Sequence, residues 1–588
     1  QPQAPALADG GGMLSYGEFN RRANRLARRL QQAGVTPGAA VGILLPRSND
    51  ALVALLAVLK AGAAYLALDP GYPAERLAYM LDDSGVRWVI GGRDAAAGVQ
   101  RLDVEDPALA TLPDHNLDRP LNPDLPAYAV YTSGSTGRPK AVEISHASLS
   151  HSTQLRLAFY PTPVRAYLLL SPLAFDSSVA GIFWTLAQGG LLVLPDTGEA
   201  LAPDRLAALI RQYRVSHGLS LPSLYAALLD CAAPADLASL DTWIVAGETC
   251  REALAARHRQ ALPGVSLVNE YGPTEATVWA CADVLDADST AEGVSIGRPL
   301  PTMVFWLLND QGAPAALGEP GEIHLGGPQL ARGYRGRPEQ TAAAFRQHPE
   351  LPGSPRLYRT GDLARWRLDG RLRLLGRRDR QVKIRGFRVE TGEIEQALLA
   401  HPQVAEAAVV AQTRHDHPRL AAYVAARQGN VTDVLRDYLA ERLPPHLVPA
   451  LWVAVDALPR HPNGKLDLHA LPDPDRLNRQ PLVAPRNPLE AALQAICAEV
   501  LRREVGVLDD FFRIGGDSIL SLQLVARAMQ RGIRISARQV FERRTIAALA
   551  EAAEWQSIPN EPAETGASTP GFDPAALNAL LGELDDAQ

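Results

Sequence analysis

The stretch VYTSGSTGRPK, residues 130–140, begins as an apolar strand and ends in a polar loop that closes on Lys140. A loop of Gly, Ser and Thr offers backbone N–H groups, hydroxyls and one cation, which together suit a phosphate group. Pro139 precedes Lys140 where a Walker loop requires glycine, so this is not a Walker motif. Taken alone, the segment would equally suit a surface turn, and the rest of the chain must decide.

Length and charge set the first limits. A chain of 588 residues exceeds one ordinary hydrophobic core, so several domains are expected. The net charge of −7 excludes the basic footprint of a nucleic-acid-binding protein. The arginine-rich segment 21–30 carries apolar residues at helical spacing (Phe19, Ala23, Leu26 and Leu30), which predicts an amphipathic helix with a solvated charged face.

Compartment and membrane association follow from composition. No apolar run is long enough to span a bilayer, and the longest, residues 51–68, predicts a buried helix followed by a strand. Four scattered cysteines without ligand or disulfide spacing are typical of a reducing compartment. We therefore expect a cytoplasmic protein that binds neither membranes nor nucleic acid.

The character of the sequence changes along the chain. Alternating helical and β-rich patterns predict α/β layers in the first part, and a charged strand–turn–strand then opens a smaller α+β unit. A Pro-rich linker precedes a compact helical block. The predicted boundaries are a large unit 1–378, a small unit 379–472, a linker 473–487, a helical unit 488–554, and a flexible tail 555–588 with a short helix at 573–586.

Three further segments carry chemical groups. NEYGPTEATVW (269–279) places a tyrosine, a hydroxyl and a carboxylate within one turn, and Glu275 offers oxygen ligands for Mg²⁺. YRTGDLARW (358–366) presents Asp362, which is suited to bridge two ribose hydroxyls. NGK (463–465) has the composition of a hairpin turn, but its Lys465 could bring a mobile cation to a reacting phosphate.

Together these segments resemble the core motifs of adenylate-forming enzymes, and more closely the adenylation domains of non-ribosomal peptide synthetases. Ten motifs occur in the family's order between residues 14 and 467: LSYGEFNRRANRLA, LKAGAAYLALDPGYP, YTSGSTGRPK, FDSS, NEYGPTE, GEIHLGGPQLARGY, YRTGDL, GRRDRQVKIRGFRVETGEIE, LPPHLVP and NGKLD. The resemblance implies an α/β multidomain fold. Its parts are a large lobe of α/β layers with a β-barrel-like part, a small α+β lobe and a four-helix-type carrier domain.

The resemblance also implies roles in binding ATP. The phosphates would lie against the loop formed by Thr132, Ser133, Gly134, Ser135, Thr136, Gly137 and Lys140. Tyr271 would stack on adenine near Gly247, while Asp362 and Arg377 would hold the ribose. The catalytic residues would be Thr274 at the α-phosphate, Glu275 at Mg²⁺, and Lys465 between the substrate carboxylate and the α-phosphate. Asp379 matches the hinge about which the small lobe rotates.

The segment DDFFRIGGDSILSLQLVARAM (509–529) resembles a carrier-protein motif in which a serine bears 4′-phosphopantetheine. Ser518 would be that serine, at a helix start where backbone N–H groups favour a phosphodiester. As an alternative, Ser518 would be a plain helix N-cap. In the adenylation domain, Gly386 and Phe175 would lie along the pantetheine tunnel.

Asp176 of FDSS would anchor a substrate α-amino group, which favours an amino acid over a fatty or aryl acid. The remaining pocket residues implied by resemblance are Ser177, Ala180, Leu219, Ile244, Ala246, Glu270, Val278 and Trp279. These mainly apolar walls favour an aliphatic, valine-like side chain. An aromatic side chain ranks second because Ala180 leaves room, and a basic one third because Glu270 would pair with it.

The expected activity is ATP-dependent activation of an amino acid and its loading on the chain's own carrier domain. Expected partners are a phosphopantetheinyl transferase, a condensation domain docking through helix 573–586, and a small activator protein. Two alternatives are an acyl-CoA ligase with free thiol acceptors and a silent carrier scaffold. A metal site at RHDH (414–417) is the weaker interpretation beside a solvated loop.

Overall fold

The computed structural model describes residues 1–92, 98–117, 120–134, 137–196, 199–290, 293–353, 355–384, 386–414, 417–427, 431–461, 466–474, 482–516 and 518–555. Among these residues, no helix combines the length and the apolar character needed to cross a bilayer.

The large lobe is built from helices packed on two extended sheets and a smaller third one. Its helices are α1 Tyr16–Gln32, α2 Asn49–Lys60, α3 Ala74–Ser84, α4 His146–Phe159, α5 Ser177–Ala187, α6 Pro203–Tyr213, α7 Pro222–Cys231, α8 Glu252–Ala261, α9 Ala287–Thr290 and α10 Pro338–Ala344. Its strands are β1 Pro5–Asp9, β2 Gly12–Ser15, β3 Ala40–Leu44, β4 Ala64–Ala67, β5 Trp88–Gly91, β6 Gln100–Leu102, β7 Pro126–Thr132, β8 Lys140–Ser145, β9 Ala166–Leu168, β10 Leu191–Val193, β11 His217–Ser220, β12 Thr242–Val245, β13 Ser266–Tyr271, β14 Cys281–Val284, β15 Arg298–Pro299, β16 Val304–Leu308, β17 Gly321–Gly326, β18 Gly333–Tyr334, β19 Phe345–Gln347, β20 Arg356–Trp366 and β21 Leu372–Arg377.

The sheets bring the motif-bearing loops to common edges. A nine-stranded sheet runs β15-β14-β13-β12-β11-β9-β10-β1-β2, and a seven-stranded one runs β18-β8-β7-β4-β3-β5-β6. The third sheet contains β16, β17, β20, β19 and β21. Because β11, β12 and β13 are parallel, their carboxyl ends meet at one edge, which is where α/β sheets bind ligands.

The predicted amphipathic helix at the N-terminus is confirmed. In α1, the residues Phe19, Ala23, Leu26 and Leu30 are buried, and the Ser15 hydroxyl caps the helix by accepting from the Glu18 N–H. The apolar run at 51–68 also forms the predicted buried helix and strand, α2 and β4. In both cases local periodicity and the tertiary core agree.

The small lobe follows the charged segment. It contains β22 Gln381–Ile384, β23 Phe387–Glu390, α11 Thr391–Leu399, β24 Val404–Arg414, β25 His417–Ala426, α12 Thr432–Ala440 and β26 Leu451–Val455. β22 and β23 form a hairpin, and β24-β25-β26 form a three-stranded sheet covered by the helices. Ile394, Leu398, Leu435 and Leu439 supply much of its core.

The carrier unit is a compact helical bundle. Its elements are α13 Pro488–Leu501, α14 Ser518–Gln530, β27 Ile533–Arg534, α15 Ala537–Arg543, α16 Ile546–Ala552 and β28 Glu554–Trp555. Leu493, Ile496, Leu524 and Val540 are buried in its own core. The predicted tail helix at 573–586 lies outside the described residues.

Candidate active site

The predicted phosphate loop is the connection between two antiparallel strands. β7 and β8 pair so that Thr132 lies opposite Lys140. A Cβ on Gly134 would lie 2.0 Å from the Arg138 carbonyl oxygen, so only glycine allows this tight approach. Among the described residues, the buried Thr132 hydroxyl has no hydrogen-bond partner, as expected of a group that awaits a ligand. Ser135 and Thr136 lie outside the described residues.

Lys140 is held against an aromatic ring at the end of this loop. Its Nζ lies 3.8 Å from the ring centroid of Tyr334. Burial lowers the pKa of Lys140 to about 8, although the Glu275 carboxylate opposes that shift. A partly desolvated cation beside an unpaired hydroxyl fits the phosphates of a nucleotide.

The predicted ribose and adenine residues lie together and bind one another. The Tyr271 hydroxyl donates to Asp362 Oδ2 at 2.5 Å, and Arg377 Nη1 donates to Asp362 Oδ1 at 2.6 Å. This second contact joins neighbouring strands, because Asp362 on β20 pairs with Arg377 on β21. The structure thus gathers all three residues at one point, while their contacts with a nucleotide stay a prediction.

Glu275 lies in a short 3₁₀ turn after β13, and its side chain is fully buried. Burial alone would raise its pKa, but the charges of Arg388 and Lys140 lower it to about 2. The Tyr334 hydroxyl donates to it at 2.8 Å. The carboxylate is therefore ionised and electrostatically committed to cations.

This donor set fits magnesium bound chiefly through phosphate oxygens. Mg²⁺ is usually held by one or two carboxylates together with substrate phosphates and water. Within the described part of the chain, nowhere do three or more His, Cys, Asp or Glu side chains gather as ligands for a metal. Glu275 next to the phosphate loop matches the first arrangement. Of the RHDH segment, residues 415 and 416 lie outside the described residues.

The predicted substrate pocket is assembled from several elements of the nine-stranded sheet. Asp176 precedes α5 and is hydrogen-bonded by the Thr274 side chain, while burial raises the pKa of Asp176. β11 and β12 set Leu219 beside Ile244 in register. The same apolar core includes the fully buried Trp279, and Val278 packs against it. Ser177 and Ala180 lie on α5, and Ala246 directly follows β12.

Glu270 differs from expectation. Its carboxylate accepts from Arg156 Nη1 at 2.6 Å and Nη2 at 2.8 Å, and the Tyr160 hydroxyl donates to it as well. Both carboxylate oxygens of Glu270 therefore already have buried partners, which speaks against its pairing with a basic substrate group, while its place in the pocket stays a prediction. Arg156 also lies over the Trp279 ring, 4.2 Å from its centroid, and so fixes one wall of the pocket.

Arg156 is not among the residues predicted from the sequence, although its position on α4 carried a signal. On α4 the buried residues are Ser148, Leu149, Ser152, Leu155 and Arg156. Arg156 follows Ser152 by four positions and Leu149 by seven, which places the arginine on the buried stripe of the helix. A buried arginine needs an anionic partner, and Glu270 on β13 provides it.

The small lobe turns the face of its β22–β23 hairpin toward this site. Lys383 Nζ lies 5.9 Å from the Tyr271 ring centroid, and burial lowers the pKa of Lys383. A Cβ on Gly386 would lie 2.3 Å from Leu221 Cδ2 of the large lobe, so this glycine lets the lobes approach closely, and Gly247 lies beside it. Phe175 of the large lobe packs edge-on against Phe387, with ring centroids 4.9 Å apart.

The predicted hinge residue is tied to the nucleotide site. Arg377 donates from Nε and Nη2 to the two oxygens of Asp379, both at 2.7 Å. Asp379 lies between β21 of the large lobe and β22 of the small lobe. A hinge role for Asp379 stays a prediction, and Lys465 lies outside the described residues.

The carrier unit docks beside the residues of the predicted pantetheine tunnel. Ser518 begins α14, and the preceding Gly515 and Gly516 line a cleft together with Ile384 and His446 of the small lobe. The His446 ring stacks on Phe387 at 3.9 Å. The cleft, His446 and Phe387 thus form a line from the carrier helix toward Phe175.

Two contacts hold the carrier unit in this place. Gln530 Nε2 on α14 donates to the Asp230 carbonyl oxygen of α7 at 3.0 Å. Arg513 Nη2 pairs with Asp433 Oδ1 of the small lobe at 3.3 Å. The carrier therefore touches both lobes of the preceding unit at once.

Comparison with known proteins finds three families that match successive parts of the chain. The AMP-binding enzyme family matches residues 1–335, the AMP-binding enzyme C-terminal domain matches 393–465, and the phosphopantetheine attachment site family matches 491–553. These matches confirm the predicted fold class and, at the level of the family, the predictions of an enzyme, of ATP with Mg²⁺, and of a phosphopantetheine-bearing unit.

Individual relatives point the same way. Tyrocidine synthase 3 of Brevibacillus parabrevis is 38% identical over 580 residues, covering 96% of this chain and 9% of that protein. Novobiocin biosynthesis protein H of Streptomyces niveus is 39% identical, covering 94% of this chain and 93% of that protein. This chain thus spans about a tenth of tyrocidine synthase 3 and nearly all of the novobiocin protein.

A solved structure extends the likeness to the arrangement of all three units. Holo-PA1221, described as an NRPS protein containing adenylation and PCP domains bound to a vinylsulfonamide inhibitor, matches with a TM-score of 0.79 at 30% identity and covers 94% of each chain. With its three matched units, its relatives and its architecture, the chain belongs to the AMP-binding enzymes, as an adenylation and carrier unit of the non-ribosomal peptide synthetase type.

Proposed function

We propose that this chain activates an amino acid with ATP and then loads the acyl group onto its own carrier unit. The observation that carries the proposal is the presence of three features in one docked arrangement of the large lobe, the small lobe and the carrier unit. These are the ionised Glu275 beside the phosphate loop, the Asp176 carboxylate bonded by Thr274, and the docked start of the Ser518 helix. The unit boundaries 1–378, 379–472 and 488–554 remain part of this proposal.

The first half-reaction joins two anions. A substrate carboxylate oxygen attacks the α-phosphorus of ATP, the bond to the β-phosphate oxygen breaks, and pyrophosphate leaves. Magnesium would be held by Glu275 and would neutralise charge on the phosphates. Thr274 would donate to the α-phosphate, and Lys465 would bridge the carboxylate and the phosphate where negative charge builds up.

Asp176 gives the preference for an amino acid. Its carboxylate is partly buried, so a substrate ammonium would meet it in a site of low dielectric. Lys383 contributes a nearby positive charge that lowers the pKa of Asp176 and opposes the effect of burial. A fatty or aryl acid would leave this carboxylate without its intended partner.

In the second half-reaction a thiol replaces the phosphate. 4′-Phosphopantetheine, when attached to Ser518, supplies that thiol. This thiol would take the acyl group from the adenylate, with AMP and the thiol proton as the leaving groups. The cleft at Gly515 and Gly516 and the aromatic line of His446, Phe387 and Phe175 support this route for the arm.

The side chain that the pocket accepts is proposed to be aliphatic and of about the size of valine. Ala180, Leu219, Ile244 and Trp279 are apolar and buried, and Arg156 and Tyr160 hold the Trp279 ring in place. An aromatic amino acid is the second candidate because Ala180 is small. A basic one is disfavoured by the pairing of Glu270.

An amino-acid panel in pyrophosphate–ATP exchange tests the function. Exchange that depends on one or a few apolar amino acids supports it. Absence of exchange with every amino acid indicates a silent scaffold, while AMP formation with non-amino acids and free thiols indicates an acyl-CoA ligase. A phosphopantetheinyl transferase, a condensation domain reached through 573–586 and a small activator protein are the proposed partners.

A further inference from the structure

The carboxylate assigned to magnesium is already occupied by a cation from the small lobe. Arg388 on β23 places Nη1 at 2.9 Å from Glu275 Oε2 and 3.1 Å from Oε1. The Glu275 side chain is fully buried, and that of Arg388 is 19% exposed. The same guanidinium donates through Nε to Gln381 Oε1 at 2.9 Å, which fixes its direction.

The small lobe also covers the loop assigned to the phosphates. The Ser133 hydroxyl donates to the backbone carbonyl of Arg388 at 2.7 Å. A Cβ on Gly137 would lie 2.7 Å from Gln396 Cγ of α11, and the Gly134 backbone bonds Glu393 of the same helix. The docked small lobe therefore uses the surface on which a diphosphate would lie.

Charge repulsion prevents Arg388 and a magnesium ion from binding Glu275 at the same time. With Arg388 in place, a magnesium ion on the same carboxylate would lie within a few ångströms of a guanidinium and close to Lys140, in a desolvated site where like charges repel strongly. Removing Arg388 without a replacement would leave the fully buried Glu275 short of its main cationic partner, which is equally unfavourable. One of the two cations must hold this carboxylate.

We propose that Arg388 and phosphate-bound magnesium are alternative occupants of Glu275, so that Arg388 docks the β22–β23 face of the small lobe only when magnesium pyrophosphate is absent. This inference rests on the proposed function, because it explains how the first half-reaction gives way to the second. Arg388 is a positioning residue: it touches Glu275 and holds the lobe, and it acts on the reaction through the placement of the β22–β23 hairpin.

The experiment measures lobe docking directly by chemical cross-linking. Glu75 on the large lobe and Glu441 on the small lobe have exposed side chains, and Glu75 lies 3.6 Å from the neighbouring Arg442. The variant Glu75→Cys/Glu441→Cys is made with Cys231→Ser, because the other three cysteines are buried. A short bismaleimide then reports the docked orientation in the full chain.

Magnesium with pyrophosphate should lower the cross-linking rate by at least about fivefold, whereas pyrophosphate with a chelator should have little effect. Arg388→Gln should cross-link slowly without ligand and should lose its response to magnesium pyrophosphate. Arg388→Lys keeps a charge and should keep part of the response. Arg380→Gln is the matched control, since Arg380 pairs within the small lobe with Glu395 at 2.5 Å and should behave like the parent.

Two results would overturn the inference: a parent rate that magnesium pyrophosphate leaves unchanged, or a full response in Arg388→Gln. A second readout is the ratio of carrier loading to pyrophosphate exchange, which should fall at least about tenfold in Arg388→Gln but not in Arg380→Gln. Cross-linking needs no amino acid. Failure of the switch is thus distinct from failure of the proposed function, which would appear as absent exchange in the parent.

Discussion

Replacing Glu270 by glutamine should destabilise the large lobe severely. The substitution keeps the shape of the side chain but leaves Arg156 without its anion, and both side chains are only 2% exposed. Removing one partner of such a buried pair typically costs about 3–5 kcal/mol. The loss should fall in the upper part of this range, because the bond is bidentate and the Tyr160 hydroxyl depends on the same carboxylate.

The assay is urea unfolding followed by tryptophan fluorescence. Six of the eight tryptophans lie before residue 378, so the signal reports mainly on the large lobe. Glu18→Gln is the control: Glu18 pairs with Arg21 on the surface of α1, and its loss should cost about 0.5 kcal/mol or less. The double variant Arg156→Met/Glu270→Leu should recover most of the loss, because apolar replacement of both charges avoids a lone buried ion.

If Glu270→Gln lowers the free energy of unfolding by less than about 1 kcal/mol, this reasoning is refuted, since burying an arginine without its anion costs more than that. A double variant as unstable as the single one would also contradict it, because the cost would then come from lost shape and not from an uncompensated charge.

Three functional predictions follow from the assigned site. Lys465→Ala should slow pyrophosphate exchange by about 10²–10³ while thermal unfolding stays unchanged, and a rate within about threefold of the parent would reject the role. Asp379→Pro should slow carrier loading far more than exchange, because it stiffens the hinge and removes the Arg377 pairing; equal losses in the two assays would count against a hinge. Asp176→Asn should raise the amino-acid KM by roughly 10- to 100-fold, the worth of one charge-assisted hydrogen bond, and leave the ATP KM steady; a parallel rise in both constants would contradict the anchor role.

The elements that the sequence predicted well are those in which local pattern and burial coincide. The stripe of Phe19, Ala23, Leu26 and Leu30 determines which face of α1 is buried, whatever the rest of the chain does. Several of the ten ordered motifs supply a residue type that the chemistry of a nucleotide demands, and the structure brings some of these residues into contact. Tyr271 donates to Asp362, and a chain of hydrogen bonds through Arg377, Gln381 and Arg388 connects Asp362 with Glu275.

The features that the sequence did not predict depend on partners far apart in the chain. Glu270 and Arg156 are separated by 114 positions, and no periodicity in either segment relates the two. The same holds for Arg388, whose conspicuous motif gave no hint that it would meet Glu275 across the lobes. Such pairings form only when distant elements pack together, so they cannot be identified from the sequence alone.

The central claim is that the chain activates an amino acid with ATP and loads it onto the phosphopantetheine of its own carrier unit. Intact-protein mass spectrometry tests this claim most directly. Protein first pantetheinylated by a transferase and coenzyme A is given ATP, Mg²⁺ and each amino acid in turn. The account predicts a mass gain of one aminoacyl group with an apolar amino acid, reversed by hydroxylamine and missing in Ser518→Ala. No gain with any amino acid, on protein that demonstrably carries the arm, would contradict it.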